Sequence, residues 1–137
     1  MPAALTTPGA LSAAGIVAVV LLAIVALFQM ALALGAPWGR AAWGGRHDGI
    51  LPPRFRLASG FAAVVVYPLI VLVILDASAT VDISWLTPGP GVVWGLVALF
   101  TIGTLANLAS PSKVERVWAP VSLGIVICCA IVATGIG

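Results

Sequence analysis

His47 and Asp48 are neighbours, and four arginines, Arg40, Arg46, Arg54 and Arg56, stand around them within the stretch APWGRAAWGGRHDGILPPRFR, residues 36–56. An imidazole beside a carboxylate has the makings of a general acid or base, and guanidinium forks match phosphate oxygens. That pairing of types is the only one in the chain that suggests chemistry on a phosphate-bearing substrate. It lacks a nucleophile, however, because the stretch contains no Ser or Cys. Its glycines lack the Gly-Lys-Ser/Thr ending of a phosphate loop. A single histidine without cysteines nearby cannot supply the three or four ligands of a metal site. The sequence therefore points to a non-enzymatic protein with no metal and no cofactor.

The same stretch reads better as a binding face. It holds an imperfect duplication, WGR at 38–40 and WGGR at 43–46, in which indoles alternate with guanidiniums. Tryptophan sits readily at the headgroup level of a membrane, and arginine beside it can hold an anionic headgroup. Trp38, Arg40, Trp43, Arg46, His47, Arg54 and Arg56 are accordingly the candidate residues for contact with lipid or a partner protein. Pro52 and Pro53 stiffen the return of the chain, and Arg54 and Arg56 are expected to snorkel from the foot of the next helix. The alternative is that these residues fix only topology and depth.

What positions this face follows from composition. Of 137 residues, 62% are hydrophobic and 7% charged, and the mean hydropathy is +1.22. Soluble domains carry about 25% charged residues, so lipid is the natural solvent for this chain. A net charge of +2, with no basic stripe on a soluble face, gives no basis for nucleic-acid binding. Four apolar runs predict helices over about 11–35, 57–75, 91–108 and 113–136, each near the length that crosses a hydrocarbon core. Strands are excluded by the absence of alternation, and inside lipid only helices satisfy the backbone of such runs. The predicted fold is all-α: a polytopic membrane protein, one four-transmembrane-helix bundle.

All six Lys and Arg lie in the linkers 36–56 and 109–116, while the linker 76–90 carries two aspartates and no base. The positive-inside rule puts the two basic linkers in the cytoplasm and both termini outside it, in the inner (plasma) membrane. Trp38, Trp43, Trp85, Trp94 and Trp118 all fall in linkers or near span ends, as interfacial anchors do. The first fifteen residues hold no Lys or Arg, and the apolar run that follows exceeds a signal peptide's core, so no cleavage is expected. Asp76 and Asp82 read as solvated linker residues.

Helices in lipid associate through close fit of small residues. Gly91, Gly95 and Ala98 share one face of the third span, predicting a packing surface within the chain or between subunits. Ser112 and Glu115 match a capping box opening the fourth helix, which would put Pro120 inside that helix and bend it. Pro68 should bend the second span. Few polar residues occupy membrane depth: Gln29, Tyr67, Thr104 and Asn107. A hydrogen bond linking Gln29, Thr104 and Asn107 between helices is one expectation, and a polar vestibule for a ligand is the other. Adjacent Cys128 and Cys129 read as small packing residues rather than a redox pair.

GAPWGRAAWGGRHDGILPPRFR together with NLASPSKVERVWAP, ahead of the last span, resembles a family of small uncharacterised bacterial four-helix integral membrane proteins. The resemblance implies the architecture and no activity. The functional expectation is an accessory or scaffold subunit that contacts anionic lipid or a partner through its basic linker, alone, as a homo-oligomer or in a larger membrane complex. The alternative is a small oligomeric transporter or channel assembled across the Gly91/Gly95 stripe. A lipid-active enzyme using His47 and Asp48 is the third reading.

Overall fold

A computed structural model describes residues 2–136. Four helices dominate it, each long and apolar enough to cross a membrane: α1 (Pro8–Ala33), α2 (Pro53–Ala77), α3 (Pro90–Ala109) and α4 (Trp118–Ile136). No strand occurs among the described residues. The helix starts share one logic. In α1, α2 and α3 a proline occupies the first turn, where its missing N–H leaves no bond unmade. Thr7 caps α1 by accepting the Ala10 amide at 3.2 Å. The other end of α1 closes on Gly35 at φ +100°, with the Ala36 amide reaching the Ala31 carbonyl at 2.9 Å. That is a Schellman turn, and its left-handed residue favours glycine.

Three features of the bundle differ from the sequence expectation. The second helix begins a turn earlier than hydropathy implies, so Arg54 and Arg56 lie in its first turn rather than in the linker. Pro68 produces no simple break. Lacking an N–H, it cannot close on the Val64 carbonyl, and the preceding turn widens into a π segment, Ala62–Val66, with the Tyr67 amide on the Ala62 carbonyl. The fourth helix starts only at Trp118, after a 3-10 turn at Glu115–Val117. Pro120 thus falls in the first turn, where it is tolerated, and the expected bend has no cause.

α1 and α4 form the centre. Ala14, Ala18 and Leu22 of α1 meet Ile125, Cys129 and Val132 of α4, with Ile70 and Ile74 of α2 and Val93 and Phe100 of α3 completing the core. Both cysteines are free and buried, packing as small apolar residues. Close approach depends on glycines that sequence reading passed over. A Cβ at Gly124 would stand 2.9 Å from Leu21, and one at Gly135 would overlap Leu11. Gly91 and Gly95, by contrast, have nothing within 4 Å of an added Cβ, and Ala98 beside them is exposed. The α3 stripe faces away from the bundle, so of the two expected packings the one within the chain is not formed. A motif of two glycines specifies a possible contact surface, and here the facing helix is elsewhere.

The two basic linkers lie together at one end, and the linker after α2 lies at the other. There Asp76 is not merely solvated: its carboxylate accepts the Ile83 amide at 2.7 Å and holds the turn. Buried Ser78 meets Thr80 at 2.8 Å, and Gly15 of α1 packs against it so closely that any Cβ would overlap its side chain.

Candidate functional site

The linker after α1 is a folded platform rather than a loose loop. Two 3-10 turns, Gly39–Ala41 and Trp43–Gly45, coincide with the duplicated WGR and WGGR. The second needs left-handed backbone at Trp43, Gly44 and Gly45, with φ of 52°, 84° and 68°. Glycine supplies two of these three without strain. Gly39 is equally constrained by space: its amide bonds the Gly49 carbonyl at 2.8 Å, and a Cβ there would collide with the His47 and Gly49 carbonyls. Beneath the platform lies a small second core of Leu32, Ala42 and Leu51, flanked by Phe28 and Phe55.

Hydrogen bonds tie the platform to the helices and to the second linker. The Trp43 indole donates to Ser59 of α2 at 3.0 Å, and the Trp118 indole of α4 donates to the Ala41 carbonyl at 3.1 Å. Ser112 donates to the Arg40 carbonyl. Glu115, only 8% exposed, accepts the Gly44 amide at 3.0 Å through one oxygen and the Ser110 hydroxyl through the other. Half of the expected capping box is present, since the Ser112 hydroxyl accepts the Glu115 amide at 3.4 Å. The other half is replaced: Glu115 turns away from the Ser112 amide to bridge two linkers. Glu115, Ser110 and Ser112 are residues that sequence reading missed as a joint, because Ser-x-x-Glu spells a local cap and carries no sign of Gly44.

On the outer surface of the platform stand the cations. Arg40 pairs with Asp48 at 3.2 Å, both side chains being mostly exposed. Arg46 is exposed, and Arg54 lies 4.8 Å from the centre of the Phe55 ring. Lys113 and Arg116 extend the same end from the second linker, with Arg116 donating to the Ser110 carbonyl at 2.8 Å. Arg56 does not snorkel. Its Nε donates to the Ala33 carbonyl at 3.1 Å, at the C-terminus of α1, where a cation complements the helix dipole. His47 packs on Phe55 with ring centres 4.9 Å apart. The Asp48 carboxylate is engaged by Arg40, so no hydrogen bond joins His47 to Asp48 among the described residues. Trp38 stacks parallel to Phe28 with centres 6.2 Å apart and stays half exposed.

Under the platform, three of the four polar span residues singled out in the sequence border a cleft of about 410 Å³. Its walls come from all four helices in the half nearest the cations, and Ala42, Trp43 and Glu115 close its end. α2 and α3 barely touch, and residues of both line the cleft. The π segment of α2 contributes Ala62 and Val66 to one wall, while Leu99 and Gly103 of α3 form the other. Gln29, Tyr67 and Asn107 all line it. Thr104 does not. It is buried and its hydroxyl returns to the Phe100 carbonyl of its own helix at 2.7 Å. Asn107 reaches Ser122 of α4 at 3.4 Å, and the Gln29 carbonyl oxygen is buried with no partner. The expected link among Gln29, Thr104 and Asn107 is therefore absent, since each turns to a different neighbour or to the cleft.

No protein-family model, no curated protein and no solved structure matches this chain.

Proposed function

We propose that this protein is a non-enzymatic component of a bacterial inner (plasma) membrane, with both termini outside the cytoplasm and its basic platform on the cytoplasmic face. The platform binds anionic lipid headgroups and seats the chain as an accessory subunit in that leaflet. One observation carries the reading: the linker is tied down by Ser59, Glu115 and Trp118, and Arg40 and Arg46 of the linker and Arg54 of the first turn of α2 are exposed together at the level where α1 ends and α2 begins. A linker serving topology alone would need charge but no such framework. The charge asymmetry between the two ends supports the orientation.

The test is lipid retained by protein purified in mild detergent from vesicles of phosphatidylcholine mixed with phosphatidylglycerol. Phosphatidylglycerol should be enriched on the protein and released by salt. Each interfacial cation contributes about 1 kcal/mol toward an anionic surface. Replacing Arg40, Arg46 and Arg54 together by Gln should therefore weaken retention roughly a hundredfold. Equal retention of the two lipids by the unaltered chain contradicts the proposal.

A further inference from the structure

The cleft between α2 and α3 is chemically unlike the platform above it. Its wall contains five aromatic side chains, those of Phe28, Trp43, Tyr67, Phe100 and Trp118. Among the described residues Glu115 is the only charged one that borders it, and no Lys or Arg does. The carboxylate is held by neutral donors and has no ion-pair partner among the described residues. The Gln29 carbonyl oxygen is buried and lacks any donor. An unpaired buried acceptor of this kind is unfavourable until a donor reaches it, and the volume of about 410 Å³ lies in the range of small-molecule sites.

We propose that this cleft is a binding site for a lipophilic amine, an apolar body that ends in a protonated amino group. Each alternative class leaves something unmatched. An anion meets the Glu115 carboxylate with no cation to offset it. A purely apolar molecule leaves the Gln29 oxygen unpaired. Gln29 lines the cleft, so rotation of its side chain turns that oxygen toward an ammonium group, which the carboxylate attracts and the aromatic faces favour. The opening between two apolar helices admits such a molecule from the lipid side, and exposed Leu99 stands at that wall. The site shares no exposed arginine with the platform, so the two proposals stand or fall separately.

The experiment uses the full chain in phosphatidylcholine nanodiscs, with tryptophan emission as the readout because Trp43 and Trp118 both line the cleft. The probes are 4-phenylbutylamine and its neutral counterpart 4-phenylbutanol. The amine should quench saturably, and the alcohol should bind about tenfold more weakly, the worth of one charge-assisted hydrogen bond. Gln29→Leu removes the unpaired acceptor without breaking any bond, so it should fold and lose about tenfold in amine affinity. Gly103→Leu projects into open space, since nothing lies within 4 Å of its Cβ position, and should abolish saturable quenching. Equal affinity for the two probes, quenching that never saturates, or unchanged amine affinity in Gln29→Leu each overturns the assignment.

Discussion

Glu115→Ala is the most informative single change at the basic end. The substitution removes the acceptor of both the Gly44 amide, 3.0 Å away, and the Ser110 hydroxyl, in a position only 8% exposed. Hydrogen bonds to a charged acceptor contribute about 1.5–3 kcal/mol each, so the two together give about 3–6 kcal/mol. Desolvation of a carboxylate with no cation beside it takes back part of that. The net loss should be about 2–3 kcal/mol, equivalent to roughly a 30- to 150-fold shift in the opening equilibrium. The loss is local. The platform should lift from the second linker while the helix core of Leu22, Ile125 and Val132 stays intact, so global melting is a poor readout. Amide hydrogen exchange resolves it. Peptides covering residues 39–49 should exchange faster by that factor, and peptides from the middle of α3 should be unchanged. Unaltered exchange across 39–49 would show that Glu115 does not hold the linkers together, and the rigid platform would lose its main support.

The remaining expectations follow the same geometry. Gly39→Ala should destabilise the platform and accelerate exchange at the same peptides, because its Cβ would overlap two backbone carbonyls that cannot move independently. Gly91→Ala and Gly95→Ala should be neutral or raise the melting temperature in detergent, since each replaces an open-sided helix glycine worth about 0.5–1 kcal/mol against alanine. A fall in melting temperature would mean that a second subunit covers that stripe. Asp48→Asn should leave stability unchanged, as the ion pair with Arg40 is solvated on both sides, 66% and 81% exposed; a measurable loss by chemical denaturation would contradict this.

The spans were legible because each is a long apolar run bounded by prolines, glycines or charges, a signal that depends on composition within one segment. The shared location of the two basic linkers follows from counting spans. Packing was harder to read. Gly91 and Gly95 form the recognisable motif yet face outward, whereas the glycines that admit neighbouring leucines, Gly124 and Gly135, lie eleven residues apart and match no pattern. The cleft depends on how far α2 stands from α3, a distance no local spacing records. Even so, three of its polar residues, Gln29, Tyr67 and Asn107, were visible as polar groups at membrane depth. Glu115 was visible too, but its partner Gly44 is 71 positions away in the chain. Short-range rules assign such a residue to the nearest available cap.

Two reporters decide the orientation on which the headgroup proposal rests. Alkaline phosphatase, active only outside the cytoplasm, and green fluorescent protein, bright within the cytoplasm and dark when exported unfolded, are fused separately at the C-terminus. High phosphatase activity with dark fluorescent fusions is the result expected of a chain that leaves its arginine-rich turns inside the cell. Bright fluorescence with inactive phosphatase would turn the platform away from the cytoplasmic leaflet and contradict it.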